Sequence, residues 1–338
     1  MKTRIAVAGA GLIGRAHIAA LQGSPTCELS AIVDPSPAAN ASFISIDELL
    51  RKDRPDGVVL ATPNPLHVPQ TLQCIEAGLP VLLEKPVADN VAQGERLVAE
   101  IEKRAAKILV GHHRAHSPIM AKAKEVVDSG QLGRIVAIMG SAMFYKPDHY
   151  FAEGPWRKAP GGGPILINMI HEVHNLRMLC GEIVAVQAIA SHAVRGFPVE
   201  DTVAINLQFA SGALGSFMLS DTAACARSWE QTSQENKAYS SYDDEDCYVI
   251  AGTDGSLSVP TMRLKTYRRP EDRSWWKPFE TGRAPTTRAD PIQRQMEHFG
   301  AVVRGEAAPL VSARDGLANL RVTEAISEAA KSGRRVTL

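Results

Sequence analysis

Neither charge sign is in excess in this chain: 37 Lys and Arg balance 37 Asp and Glu over 338 residues. That balance leaves no basic field to recruit nucleic acid or a membrane surface. No apolar run approaches the ~20 residues needed to span a bilayer. Cysteine is scarce. Cys27, Cys74, Cys180, Cys225 and Cys247 are odd in number, widely spaced, and form no Cys-x-x-Cys. They read as reduced thiols of a cytoplasmic protein. The first residues, with Lys2 and Arg4, lead straight into a strand pattern and read as no signal peptide. Internal repeats and low-complexity tracts are absent. What is present, 45% hydrophobic and 22% charged residues, is ordinary for a globular protein. The length suffices for two domains, each with its own core.

The chain is organised around Arg4 to His17, where an apolar run meets Gly9-x-Gly11-x-x-Gly14 and an Ala-rich helical pattern follows. Gly9 allows a tight turn out of a strand. Gly11 lets a dinucleotide pyrophosphate approach the backbone, and Gly14 lets the helix pack closely. The helix N-terminus, at Leu12 and Ile13, offers free N–H groups and a positive dipole end to phosphate. A second strand, Cys27 to Val33, ends at Asp34 about 20 residues past the fingerprint, where ribose hydroxyls are expected. The Asp34 charge favours NAD over NADP, and no Arg or Lys follows before Arg51.

Breaker-rich Pro35 to Asn40 leaves little room for a helix before a capped turn at Ser45 to Leu50. The crossover from Asp34 to Asp47 is thus about ten residues short for such a fold. Strands at 57–61, 80–83 and 108–110 alternate with helices at 68–77 and 91–106. This alternation predicts a doubly wound parallel sheet of the Rossmann kind. Ligands bind such sheets beyond the carboxyl ends of the strands. Those ends here are Gly9, Asp34, Thr62, Glu84 with Lys85, and His112 to Arg114. From about Ile135 the pattern changes to runs at 135–144, 183–191, 203–209, 213–219, 248–252 and 257–259. One strong helix, 166–179, interrupts them, and two more, 292–303 and 313–331, close the chain. A C-terminal α+β domain with a mainly antiparallel open sheet is expected. The expected domains are 1–122 and 123–338, with the last helix able to pack back on the first. The polar stretch 223–245 reads as a surface loop.

Lys85, between Glu84 and Pro86 at the end of a buried strand, points towards the cofactor crevice, where partial burial lowers a lysine pKa. Pro86 fixes the turn in either isomer. Asn168, His171 and Asn175 form one polar stripe on an otherwise apolar helix after Gly161-Gly162-Gly163. His171 fits two readings: a core histidine satisfied by hydrogen bonds, or a general base at neutral pH. Lys85 and the cofactor motif turn the balance towards the base. His171 and His174, with His112, His113 and His116, also invite a metal reading. The chain has no His-Glu-x-x-His and no evident carboxylate ligand set, so no metal site is assigned. Trp156 and Arg157, just before the glycine run, suit a lid over a polyhydroxylated ligand or a surface loop pinned by one buried Trp.

In Gly9-x-Gly11-x-x-Gly14, Thr62-Pro63-Asn64-x-x-His67, Glu84-Lys85-Pro86 and Gly161-Gly162-Gly163 followed by His171, the chain resembles the Gfo/Idh/MocA family, the glucose–fructose oxidoreductase and inositol dehydrogenase group. The resemblance spans essentially the whole sequence. It implies NAD(P)-dependent oxidation or reduction of a sugar, polyol or related hydroxy compound. By that likeness His171 takes the hydroxyl proton, and Lys85 polarises the same oxygen and contacts the cofactor. Gly9 to Gly14, Asp34, Thr62, Pro63, Asn64, His67, Glu84 and Arg114 would line the cofactor. Arg114, Trp156, Arg157, Asn168 and His174 would reach substrate. Inositol-dehydrogenase-like members carry Asp four residues before the His. Here that position is Ile167, and Asn168 lies three before; Asn can orient an imidazole but not stabilise its charge. His174 stands where many members have Asp. A homodimer or homotetramer through the C-terminal sheet is expected. Two other readings are a nucleotide-binding sensor without turnover and an NAD-assisted glycosidase.

Overall fold

Short, fully apolar runs such as Val58-Val59-Leu60 and Val81-Leu82-Leu83 suit strands covered on both faces. The computed structural model, which describes residues 1–338, buries every residue of both. They belong to a five-stranded sheet of β1 (Thr3–Ala8), β2 (Cys27–Val33), β3 (Gly57–Leu60), β4 (Val81–Leu83) and β5 (Ile108–Val110). Its order is β2-β1-β3-β4-β5, and every pairing is parallel. Helices α1 (Leu12–Gly23), α2 (Ile46–Lys52), α3 (His67–Glu76) and α4 (Val91–Lys103) make the crossovers. The strand order reverses between β1 and β3, the place where such sheets open a crevice.

The short crossover after β2 holds only a 3-10 turn, Pro37–Ala39, and the seven-residue α2. Ser45 caps α2 by accepting the Glu48 N–H at 3.2 Å. The fourth helix ends at Lys103, short of the expected Ala106. Ala105 takes φ +49°, and the N–H groups of Ala105 and Ala106 close back on Glu102 and Ile101.

Residues 1–116 and 289–320 form one unit, so the segment carrying α9 (Pro291–Arg304) belongs with the parallel sheet; residues 117–288 and 321–338 form the other. Each has its own hydrophobic core. In the second unit α5 (Pro118–Asp128) precedes β6 (Ile135–Met143). Then come α6 (Asp148–Glu153), α7 (Ile170–Cys180), β7 (Ile183–Ser191), β8 (Thr202–Phe209), β9 (Leu214–Ser220) and α8 (Trp229–Thr232). The sheet continues through β10 (Tyr248–Gly252), β11 (Gly255–Val259), β12 (Arg263–Thr266), β13 (Glu280–Arg283) and β14 (Val336–Thr337). α10 (Ala313–Ser332) crosses the division at Leu320. The nine strands order as β13-β12-β11-β10-β6-β9-β8-β7-β14, all antiparallel except β6 beside β9.

Burial alternates along β8 and β9, so Val203, Ile205, Leu207, Phe217 and Leu219 face the core while Ala204, Asn206, Leu214, Ser216 and Met218 face out. The stretch 223–245 is not simply a surface loop. Trp229 is buried, stacks on Tyr248 with centroids 6.1 Å apart, and donates its indole N–H to Glu235.

Candidate active site

The Gly-rich loop leaves β1 at Gly9, whose φ of +91° excludes most side chains. A Cβ on Gly14 would sit 1.8 Å from the Gly9 carbonyl oxygen, so α1 passes the strand end at a distance only glycine permits. Gly11 differs: a Cβ there would meet nothing within 4 Å. The protein itself has no need of glycine at that position, but a pyrophosphate closing on the backbone does. The first turn of α1 has no acidic residue and no side-chain cap, so its N–H groups suit an anion. Leu12 is exposed and Ile13 partly buried beside them. Asp34 holds the loop: its carboxylate accepts the Ala10 and Ser36 N–H groups, both at 2.8 Å. These residues fit a dinucleotide.

Beyond β3, the Thr62 hydroxyl donates to Gln70 at 2.7 Å, and Pro63 leads a 3-10 turn, Asn64–Leu66. His67 is buried, its ring nitrogens 2.7 Å from the Pro86 carbonyl and 2.9 Å from that of Thr62. It ties two strand-end loops together. Burial lowers its pKa, against the pull of both carbonyls.

Lys85 follows β4 and enters a cis peptide bond to Pro86. It is partly buried, and that burial lowers its pKa; the Glu84 carboxylate opposes the shift and Arg114 adds to it. Arg114 is buried in the 3-10 turn His113–His116. Glu84 is buried too and lies 2.8 Å from Nε2 of His17, a residue sequence reasoning passed over. Its signal was available: Gly14, His17 and Leu21 share the buried face of α1 at helical spacing. Burial alone would raise the Glu84 pKa. The hydrogen bond and charge of His17, with Lys85 and His113, outweigh it and hold the carboxyl below its usual range. Gly111 leaves the room, since a Cβ there would meet Glu84 Oε1 at 2.8 Å.

In the second unit a π turn, Ile165–Met169, runs into α7. Such a turn inserts an extra residue and often marks a functional site. Glu200 anchors its start, accepting the Ile165 N–H at 2.9 Å, and burial raises the Glu200 pKa. Asn168 Oδ1 accepts from the Lys146 ammonium at 2.6 Å. Lys146, just beyond β6, is buried and was not anticipated. His171 and His174 are each 8% exposed. Asn175 does not continue the polar stripe: it is fully buried, and its amide donates to the Tyr248 hydroxyl at 2.9 Å, which in turn donates to Glu172. Trp156 is 55% exposed, so it does not pin the loop; Phe151, at 4%, does, against Phe197 at 5.3 Å. The Arg157 guanidinium lies 3.8 Å over the Tyr150 ring. No three His, Cys, Asp or Glu are grouped to hold a metal.

Comparison with known proteins agrees with both halves. The oxidoreductase family with NAD-binding Rossmann fold matches residues 3–112, and the GFO/IDH/MocA C-terminal domain matches 120–258. The 1,5-anhydro-D-fructose reductase of Ensifer adhaerens is 26% identical, covering 86% of this chain and 82% of its own. The inositol 2-dehydrogenase of Rubrobacter xylanophilus is 29% identical, covering 85% and 76%. The WlbA dehydrogenase of Bordetella pertussis, solved with NADH and UDP-GlcNAcA, superposes with a TM-score of 0.79 at 25% identity, covering 100% and 99%. This chain therefore belongs to the Gfo/Idh/MocA oxidoreductases, an NAD-binding Rossmann domain joined to the family's C-terminal domain.

Proposed function

We propose that the protein oxidises or reduces a CH–OH group of a sugar, polyol or related hydroxy compound. The observation that carries this is Lys85, held partly buried at a strand end with its pKa lowered and Glu84 fixed next to it by His17. Reductase and dehydrogenase relatives acting on 1,5-anhydro-D-fructose and inositol support it. Bound NAD supplies the hydride acceptor or donor. Asp34 receives the ribose hydroxyls, and Gly9 to Gly14 with the Thr62-to-His67 segment hold the rest of the cofactor. The Lys85 ammonium hydrogen-bonds the reacting oxygen and stabilises the charge that develops there. A His171 ring nitrogen accepts the hydroxyl proton. Asn168, its oxygen turned to Lys146, presents N–H donors to substrate hydroxyls.

NADH absorbance, followed on mixing protein and NAD with sugars, polyols, inositols and their acids, tests this. A signal with one group is expected and names the class. Silence across the panel, with NAD binding measured by calorimetry, would shift the reading to a sensor; bond cleavage without net NADH would shift it to a glycosidase.

We further propose that the outer face of the second sheet pairs with a second copy of the chain. Strands β6 to β9 contain no charged residue and no histidine. Met139, Leu214, Met218 and Ile189 stand out from them, between 41% and 78% exposed. A sheet face of this kind is rarely left to water. Replacing both Met139 and Met218 with Glu is expected to reduce the light-scattering mass to that of a monomer. A wild-type protein already monomeric would overturn the pairing.

A further inference from the structure

His17 is completely enclosed, and Glu84, whose Oε1 lies 2.8 Å from the His17 Nε2, is only 5% exposed. Glu84 is held as a carboxylate. A carboxylate only accepts, so the proton between the two sits on His17. The other ring nitrogen meets no protein partner. An apolar side chain would fill the same space and leave no polar atom unpaired, so the ring costs the fold something in order to bring one N–H to Glu84. Glu84 divides its oxygens. Oε1 takes the His17 N–H, and Oε2 accepts the backbone N–H of Lys85 at 3.2 Å. On the β5 side Gly111 closes on the carboxyl, where a Cβ would meet Oε1 at 2.8 Å. The backbone is fixed as well: the Glu84 N–H bonds the Leu60 carbonyl at 2.9 Å, and the Gly111 N–H bonds that of Leu83 at 2.7 Å. His17 lies on the buried face of α1, three residues after Gly14. One imidazole thus links the helix that follows the Gly-rich loop to the Lys85 turn.

We propose that His17 is a positioning residue for Lys85 and acts through Glu84: it keeps a negative charge beside the Lys85 ammonium and fixes the backbone from which that side chain springs. The inference rests on the dehydrogenase reading above and adds to it a fully enclosed residue. The physical chain has two steps. Burial works against a charged Glu84, and the His17 N–H is the first of the interactions that outweigh it. Without that donor the carboxyl takes up a proton more readily. Burial and Arg114 then act on Lys85 against less opposing charge, and the ammonium gives up its proton at lower pH. A filler residue has no such effect: its loss would loosen the packing of α1 and leave the Lys85 ammonium as it was. The other titratable groups around the pair are His67 on α3 and His113 and Arg114 in the turn after β5, and every variant below leaves them in place.

The charge on Lys85 is read from the pH dependence of its acetylation by acetic anhydride, followed by peptide mass spectrometry on the full chain without substrate. His17→Leu is expected to lower the Lys85 midpoint by about one pH unit or more, and Glu84→Gln by a similar amount. His17→Gln, whose amide nitrogen can stand in the place of Nε2, should restore about half of the change or more. The decisive comparison is the double variant, His17→Leu with Glu84→Gln. A residue that acts through Glu84 adds nothing once that charge is gone. The double variant should therefore match Glu84→Gln within about 0.3 pH unit, the usual error of additivity. It also leaves no buried carboxylate unpaired, so the comparison stands even where His17→Leu alone does not fold. With a substrate from the NADH panel, the alkaline limb of kcat should move with the labelling midpoint while KM stays within about twofold.

A Lys85 midpoint unmoved in folded His17→Leu, a double variant well below Glu84→Gln, or His17→Gln no better than His17→Leu would overturn the link. Midpoints that move as expected in a protein that forms NADH with no substrate would keep the link and overturn the dehydrogenase. NADH formation with midpoints that stay in place would do the reverse.

Discussion

Replacing Lys85 with methionine is expected to lower kcat by about a thousandfold while NAD affinity changes by less than about tenfold. Methionine keeps the length and apolar stem of lysine, so the partly buried turn before Pro86 retains its packing. What is lost is a charged donor. If Lys85 only anchored the cofactor, the loss would appear in NAD binding and not in kcat. If it were a solvated surface lysine, neither would move. Single-turnover hydride transfer and calorimetric NAD titration separate the three cases, and a variant with wild-type kcat would remove Lys85 from the chemistry.

The pH profile carries the same argument. Burial lowers the Lys85 pKa, Arg114 adds to the shift, and Glu84 opposes it. In the role proposed for Lys85 the charged form is the useful one, so activity should fall as pH rises through a value below the ~10.4 of a free lysine. Glu84→Gln keeps the shape and an acceptor for His17 but removes the opposing charge. The alkaline limb should therefore move to still lower pH. Stability has the opposite slope. Between the folded pKa and ~10.4 the unfolded chain binds the extra proton, so this group makes stability rise with pH across that window.

The parts legible in sequence are those whose physics is local. Gly9 and Gly14 are needed because a strand turns into a helix within a few residues, and the structure shows the close approaches that demand them. Ser45 caps α2 for the same kind of reason. The strands from β6 to β11 were readable because their apolar residues recur at short range. The edge strand β13, Glu-Thr-Gly-Arg, and its neighbour β12, Arg-Leu-Lys-Thr, carry charges of the kind that protect an edge, and so resemble loops. Lys146 could not be found by spacing, because its partner Asn168 is 22 residues away and is brought to it only by tertiary folding. Asn175, read as continuing the stripe, instead bonds Tyr248 in the core, a partner 73 residues away that helical spacing cannot reveal.

Gly14→Ala should cost more stability than any other single methyl added to the Gly-rich loop, by more than about 3 kcal/mol. The added carbon would lie 1.8 Å from the Gly9 carbonyl oxygen, and neither side can retreat. Gly9 is held by its φ of +91° and by Ala61, whose carbonyl oxygen would lie 2.4 Å from a Gly9 Cβ. On the other side α1 is fixed by the buried Leu21, Ala20 and His17, the last bonded to Glu84. Gly11→Ala is the informative contrast. Its backbone has φ −68°, which alanine adopts, and its methyl would meet nothing within 4 Å. Thermal unfolding should therefore shift by no more than about 2 °C, while NAD affinity drops at least about tenfold, because only the incoming pyrophosphate meets the methyl. If Gly11→Ala bound NAD as the wild type does, the pyrophosphate could not lie against that residue. If Gly14→Ala were as stable as the wild type, α1 could move off β1, and the fixed spacing between loop and helix would no longer account for this glycine.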